Sequence, residues 1–140
     1  MLATNVGGFP VGIAIPFVSD TLSAVLLAVT GIATFVVLLF ALRTGEDRLR
    51  FFPALVLMLT AGVNGAFLTG DAFNLYVFFE VMLISSFGLM ALGGKRSQIE
   101  GTLKYLVISQ ISSALFLVGV GLLYGTAGSL NMADLALRLP

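Results

Sequence analysis

Long apolar runs, broken only by short polar segments, constrain this chain more than any other feature. The first run covers residues 17–42, and its one formal charge is Asp20 near the start. A helix needs about 20 mostly apolar residues to cross the hydrocarbon core of a bilayer. The run is therefore predicted to be a transmembrane helix. The composition agrees, because 10% of the residues are charged, against about 25% in typical soluble domains.

Three further apolar runs follow, separated by short polar or glycine-containing segments. Pro53 suits the first turn of the second helix, and Gly93 with Gly94 suits the end of the third. The segment from Met1 to Pro16, broken by glycine and proline, is expected to be an irregular approach to the first helix. We predict an all-α, polytopic membrane protein whose residues 1–140 form a single transmembrane bundle. Its four transmembrane helices are predicted at about 17–42, 53–70, 74–92 and 104–124, with a short C-terminal surface helix after them.

The basic residues predict how the helices cross the membrane. Cytoplasmic loops of membrane proteins hold an excess of Lys and Arg. If four helices alternate in direction, the loops at 43–52 and 93–103 lie on the same side, and six of the seven basic residues lie in or beside them. We therefore predict a multi-pass membrane protein with both loops in the cytoplasm. The six residues are Arg43, Arg48, Arg50, Lys95, Arg96 and Lys104.

The composition also excludes several classes of function. The chain has no His and no Cys, which removes the usual ligands of zinc, haem and iron–sulfur clusters and the usual acid/base imidazole. We therefore expect no metal site and no cofactor. Because seven basic and seven acidic residues cancel, no nucleic-acid partner is predicted. The residues offer no nucleophile–base pair, so an ordinary enzyme is not predicted either; the expected surroundings are a lipid bilayer.

Glu80 is the one acidic residue inside an apolar span, in the stretch Asn74-Leu-Tyr-Val-Phe-Phe-Glu80-Val-Met-Leu-Ile. In a helix that begins near Asn74, Glu80 lies about 9 Å along the axis. Burying a carboxylate at such a depth costs roughly 3 kcal/mol or more, so intramembrane carboxyl groups usually face protein, water or a cation. The pattern predicts that Glu80 relays protons. One alternative is that Glu80 pairs with a basic residue to fix helix packing, although the predicted spans offer only Lys104 at a helix end. The other is that Glu80 lies near the membrane interface and is hydrated.

Weaker polar positions accompany Glu80. Thr60 and Asn64 are four residues apart on the second helix, and serines recur at helical spacing on the fourth. Such stripes line water-filled paths, but they also form hydrogen bonds between packed helices, and both interpretations stay open. The predicted supporting polar path consists of Asn64, Thr60, Ser109, Ser112, Ser113 and Lys104.

A longer stretch around Glu80 carries a family resemblance. The segment 70–94, which contains Gly-Asp-Ala-Phe-Asn-Leu-Tyr-Val-Phe-Phe-Glu, resembles the D-type subunit of the multisubunit Mrp Na+/H+ antiporters. This subunit belongs to a superfamily shared with antiporter-like subunits of respiratory complex I and of membrane-bound hydrogenases. The likeness covers nearly the whole chain, including segments 18–24, 64–71, 103–106 and 130–135.

The resemblance implies a subunit of about fourteen helices, of which this chain matches the third to the sixth. It also implies that Glu80 works with lysines on later helices, beyond residue 140, to pass protons along a hydrated axis in the middle of the membrane. The partners it implies are the other subunits of a hetero-oligomeric antiporter complex in a bacterial-type cytoplasmic membrane, and the transported ions are protons and Na+.

Three hypotheses follow for the function. The first is part of a membrane-embedded Na+/proton antiporter subunit, with Glu80 acting in proton translocation. The second, within the same superfamily, is a proton-pumping membrane subunit of an NADH-quinone oxidoreductase or hydrogenase complex. The third is a structural tetraspan assembly protein in which Glu80 only supports packing.

Overall fold

The computed structural model describes residues 2–8 and 14–138 and confirms the predicted class, a mostly helical membrane protein. Two short antiparallel strands precede the helices, β1 (Leu2–Asn5) and β2 (Pro16–Ser19). Short 3-10 turns occur at Val6–Gly8 and Glu46–Arg48. The α-helices are α1 (Thr21–Thr44), α2 (Phe52–Leu68), α3 (Ala72–Ala91), α4 (Arg96–Ala127) and α5 (Met132–Arg138).

The first four helices correspond to the four predicted spans. Helices α1, α3 and α4 are each long and apolar enough to cross a membrane. Helix α2 is a shorter apolar helix of 17 residues, about 25 Å long at the usual rise per residue, which is the lower end of the spanning range. The short helix predicted after the spans is α5, with 7 residues.

The N-terminal segment is more regular than its glycines and prolines suggested. β1 and β2 pair from Leu2 opposite Ser19 to Asn5 opposite Pro16. Residues 17–19 therefore belong to a strand, and the prediction of a helix from residue 17 is wrong. Of the predicted irregular approach, residues 1 and 9–13 lie outside the described residues.

A capping carboxylate sets the start of α1. Asp20 accepts hydrogen bonds from the backbone N–H and the hydroxyl of Ser23, at 2.7 and 2.8 Å. Such a cap satisfies an N–H group that the first turn of a helix leaves free. The helix therefore begins at Thr21, after the residue that can cap it.

Helix α4 begins earlier and ends later than predicted. It runs from Arg96 to Ala127 rather than from 104 to 124. The Oε1 atom of Gln98 accepts a hydrogen bond from the backbone N–H of Lys95 at 3.2 Å, which stabilises the first turn. The polar segment 95–101 precedes the apolar run and was therefore predicted to be a loop. Polar residues are nevertheless compatible with a helix, and α4 includes most of this segment. The other two helices differ from the prediction by only one or two residues at each end.

Helix α3 lies between α2 and α4 and makes the most extensive contacts in the structure. Glycines of α2 let the two helices approach closely. A Cβ atom built on Gly62 meets Met82 Cγ at 2.8 Å and the Phe78 carbonyl oxygen at 3.1 Å, and one built on Gly65 meets the Phe78 ring. Close approach at small residues is how helices commonly pack in membranes.

Most of the apolar surface stays exposed in the described part of the chain. In α1 only Ser23 and Ala41 are buried, and large side chains such as Phe35 and Phe40 are more than half exposed. A small buried cluster of Ala41, Phe52 and Val56 joins the end of α1 to the start of α2. Helices that are apolar on all sides are typical of membrane spans.

Three segments join at one end of the bundle through backbone hydrogen bonds. The Gly70 N–H donates to the Pro16 carbonyl of β2 at 2.8 Å. On the other side of the same turn, Met132 N–H donates to the Gly70 carbonyl and Ala72 N–H to the Leu130 carbonyl, both at 2.8 Å. We call this set, formed by β2, residues 69–72 and residues 130–132, the backbone junction.

The alternation assumed for the spans follows from this arrangement. The segment before α1, the α2–α3 turn and the segment after α4 meet at the backbone junction, so the loops at 45–51 and 92–95 lie at the other end. Leu89 of α3 and Leu92, just after the end of α3, pack there against the Ala41 cluster. The basic loops therefore share one end of the bundle, as the charge pattern predicted.

Candidate functional site

Glu80 lies near the middle of α3. It is eight residues after Ala72 in a helix of 20 residues, which places it about 12 Å along a helix about 30 Å long. Its side chain is half-buried. α3 is one of the helices able to cross a membrane, so the carboxyl group is at mid-span in a membrane-length helix.

The carboxyl group meets a hydroxyl group from the neighbouring helix. Ser113 of α4 donates a hydrogen bond through Oγ to Glu80 Oε1. Ser113 itself is 3% exposed. Two of the residues that the sequence singled out are thus brought together across the α3–α4 interface.

Aromatic pairs flank this contact on both sides along the interface. Tyr76 stacks on Phe116 with ring centroids 6.1 Å apart and planes at 16°. Phe87 meets Tyr105 edge to face at 5.3 Å and 78°. Sequence analysis did not assign Tyr76, Phe87 or Phe116 a role. Tyr76 and Phe87 are four and seven residues from Glu80, and Phe116 is three residues from Ser113, so each lies on the same helix face as its polar neighbour. This spacing is the sequence pattern that could have predicted their place in the interface.

Glu80 forms no ion pair with any described residue. In residues 2–8 and 14–138 the ion pairs are Lys104 with Glu100 at 2.8 Å and Arg138 with Asp134 at 3.0 Å. Both are i, i+4 pairs at partly or well exposed positions, where such pairs contribute little stability. The alternative in which Glu80 pairs with a basic residue therefore finds no support within the described chain.

Thr60 and Asn64 lie on α2, whose close contacts with α3 are at Gly62 and Gly65. Thr60 is two residues from Gly62, which is about 200° around the helix axis, and it therefore points away from the face that contacts α3. Asn64 is next to Gly65 and lies beside that face. The Thr60 hydroxyl donates to the Val56 carbonyl at 2.8 Å. The Oδ1 atom of Asn64 is buried and has no hydrogen-bond partner among the described residues.

A cavity of about 430 Å³ lies beside Thr60, between α1, α2 and the end of α3. Its walls are mostly apolar, with Thr34, Glu46 and Gln98 among the polar exceptions. It opens at the end of the bundle that carries the basic loops. Of the residues predicted to form the polar path, Thr60 lines this cavity, and Gln98 brings the start of α4 to it.

The remaining predicted residues lie along α4. Ser109 is half-buried one turn before Ser113, on the same face of the helix. Ser112 is exposed and donates to the Ile108 carbonyl at 3.1 Å. Lys104 is exposed and paired with Glu100, so the structure does not bring it to Glu80.

Comparison with known proteins identifies the family. Residues 69–139, half of the chain, match the family model described as NADH:quinone oxidoreductase/Mrp antiporter, TM. This range contains α3, α4, α5 and the whole Glu80–Ser113 contact. The match therefore includes the candidate site.

Two curated relatives are named as D-type components of antiporters. The chain is 46% identical over 137 residues to the D-type subunit of the Na(+)/H(+) antiporter of Bacillus subtilis (strain 168), covering 96% of this chain and 28% of that protein. It is 43% identical over 135 residues to a protein of Rhizobium meliloti (strain 1021) named as the probable D-type subunit of a K(+)/H(+) antiporter, covering 96% of this chain and 25% of that one. The resemblance to D-type subunits is confirmed.

A solved structure shows the same fold. A chain of the Mrp complex from Dietzia sp. DQ12-45-1b superposes with a TM-score of 0.90 at 43% identity, covering 94% of this chain and 26% of that one. The present chain spans about a quarter of the length of the relatives it matches. On the strength of the matched family model and these likenesses, the chain belongs to the NADH:quinone oxidoreductase/Mrp antiporter transmembrane family.

Proposed function

We propose that this chain forms part of a membrane subunit that exchanges a monovalent cation for protons, and that Glu80 carries a proton in that exchange. The observation that supports this most strongly is a carboxyl group at mid-span of a membrane-length helix, held by Ser113 and without a basic partner in the described chain. An ionisable group at this depth with no fixed ion pair is a functional candidate. The names of the relatives supply the reaction.

The wider features of the proposal are those that the family resemblance implies. The chain is one bundle within a subunit of about fourteen helices, which works beside other subunits in a hetero-oligomeric complex. It acts as a transporter component rather than as an enzyme. The loops at 43–52 and 93–103 face the cytoplasm. Na+ is the expected cation. Because relatives at 46% and 43% identity are named for Na+ and K+ respectively, the two ions are compared as drivers of proton exchange.

Replacing Glu80 by Gln tests the proposal. The variant is made in the complete antiporter complex, and cation-driven proton movement is measured in everted membrane vesicles with a fluorescent pH probe. Exchange is expected to fall by about a hundredfold or more, the scale on which a positioned proton-transfer group contributes. The amount of assembled complex is measured in parallel and should be unchanged.

Glu100→Gln provides the matched control, because Glu100 is an exposed carboxylate on α4 paired only with Lys104. It is expected to exchange cations at the wild-type rate. Normal exchange by Glu80→Gln at normal assembly would refute the proton-carrying role. Lower assembly with an unchanged rate per complex would instead establish the structural hypothesis.

A further inference from the structure

The hydroxyl groups of α4 differ in where they donate. Thr102, Ser112 and Thr126 each donate to the carbonyl oxygen four residues earlier in their own helix. Such local bonds are the usual way for a helix to satisfy Ser and Thr side chains. Ser113 instead donates to Glu80 of α3. In residues 2–8 and 14–138 it is the one side-chain hydrogen bond that joins two membrane-length helices.

The surroundings of Ser113 hold its hydroxyl in this position. Its 3% exposure shows that the side chain is enclosed by the α3–α4 interface. The Tyr76–Phe116 and Phe87–Tyr105 pairs lie on either side of it along the interface. Aromatic contacts of this kind add to helix packing beyond the area they bury. The axial position of α4 along α3 is therefore supported by aromatic contacts that do not involve Ser113.

The hydrogen bond acts on Glu80 in two ways. It fixes the direction of a flexible side chain that has no ion-pair partner in the described chain. It also adds a donor to one oxygen of the carboxyl group, in a site of low dielectric where hydrogen bonds are electrostatically stronger than in water. A donor to a carboxyl oxygen interacts differently with the charged and the neutral forms.

We propose that Ser113 is a positioning residue for Glu80: its hydroxyl, supplied by α4, orients the Glu80 carboxyl group for proton transfer. This inference rests on the proposed role of Glu80. It assigns α4 a part in proton transfer that a purely packing role of the serine would not give it.

The test compares Ser113→Ala, Ser113→Thr and Thr126→Ala in the complete antiporter complex. Thr126→Ala is the matched control because it removes an α4 hydroxyl that is bonded only within its own helix. The measurement is the pH dependence of cation/proton exchange in vesicles. Infrared difference spectroscopy reports the hydrogen bonding of the Glu80 carboxyl group, whose bands are assigned by their loss in Glu80→Gln.

Ser113→Ala is expected to assemble at the wild-type level, because the aromatic pairs remain. Its pH profile of cation/proton exchange should depart from that of the wild type, because the Glu80 carboxyl group loses the hydrogen bond that orients it. The carboxyl band of Glu80 should move as well. Ser113→Thr keeps a hydroxyl and should restore both values, and Thr126→Ala should match the wild type in both.

A wild-type pH profile and an unmoved carboxyl band in Ser113→Ala would overturn this inference. If Ser113→Ala does not assemble, Ser113→Cys replaces it, since a thiol is of similar size and only a weak donor; a wild-type profile there is equally decisive. Loss of exchange in Glu80→Gln together with a wild-type Ser113→Ala would refute the positioning role alone. Normal exchange in Glu80→Gln would refute the proposed function itself.

Discussion

At the scale of single residues, polar side chains hold the helix starts. Asp20 caps α1, and the Oδ1 atom of Asp71 accepts from the Asn74 N–H at 2.8 Å at the start of α3. Asn131 does the same for α5, accepting from Ala133 N–H at 3.0 Å. The first N–H groups of a helix have no partner within it. These three residues therefore set the first residue of each helix. The apolar residues that follow have no side chain that could cap a helix.

The Asp20 cap should depend on pH. The hydrogen bonds from the Ser23 backbone and side chain hold the pKa of Asp20 below its usual value. Stabilisation by this carboxylate is thus complete above the usual pKa and is lost as the pH falls through the lowered one. Hydrogen exchange of the first-turn amides of α1 should accelerate in this acidic range relative to Asp20→Asn, whose cap does not titrate. An identical pH response in the two proteins would contradict the assignment of the effect to Asp20.

The spacing of the α4 serines predicted a polar stripe but did not identify which serine meets Glu80. Periodicity gives relative positions around one helix, whereas the contact depends on how that helix is rotated against its neighbour. Ser113 faces α3, while Ser112, one residue away and about 100° around the axis, is exposed. The isolated charge of Glu80 could be predicted because it requires only that one acidic residue stand within an apolar stretch of the sequence.

At the scale of helices, the α2–α3 pair is the most tightly packed unit. Gly62 lies against backbone and side-chain atoms of α3 at 2.8–3.1 Å from the position of an added Cβ. The contact therefore depends on the absence of a side chain. The Met82 side chain and the backbone atoms of Phe78 and Met82 opposite Gly62 leave no room for a methyl group.

Replacing Gly62 by Ala should push α2 and α3 apart. We expect the free energy of unfolding to fall by about 1–3 kcal/mol, as is typical of overpacking. The measurement is a titration of the complex with a denaturing detergent in mixed micelles. Gly119→Ala is the control, because a Cβ at Gly119 meets no described atom within 4 Å. Equal stability of the two variants would show that the close approach at Gly62 is not required.

The ends of the helices were predicted less well than their existence. The apolar pattern predicts which residues lie in lipid, and it does not predict how far a helix extends beyond them. Helix α4 includes polar residues before its apolar run and is 32 residues long, about 48 Å. The strand at residues 16–19 was missed for a related reason. An apolar segment of a few residues fits a strand or a helix equally well, and only its pairing with β1 decides between them.

At the scale of the whole molecule, the two ends of the bundle differ in charge and in construction. One end carries the loops with Arg43, Arg48, Arg50, Lys95 and Arg96. The other end is the backbone junction, where β2, the α2–α3 turn and the segment before α5 are joined. The alternation of four helices was predictable from span lengths, but the junction was not, because backbone hydrogen bonds between distant segments leave no pattern in the sequence.

The chain lacks cysteine, so the orientation of the bundle is open to direct measurement. Single cysteines replace Glu46 in the first basic loop, Ser97 in the first turn of α4 beside the second basic loop, and Ala133 in α5. They are treated with a membrane-impermeant maleimide in intact cells and in everted vesicles. Positions 46 and 97 should react only in everted vesicles, and position 133 only in intact cells, because basic loops stay in the cytoplasm. Reaction of 46 and 97 from opposite sides would contradict the alternating topology.

The backbone junction restricts how the bundle changes shape. At one end, hydrogen bonds at Pro16, Gly70 and Leu130 join β2 and residues 130–132 to the turn between α2 and α3. The other end holds a cavity bounded by α1 and α2. If the helices tilt against one another, the joined end is therefore the pivot. Glu80, about 12 Å from that pivot along a helix of about 30 Å, would then move less than half as far as the basic loops, so the end that holds the cavity would widen or narrow more than the surroundings of the carboxyl group.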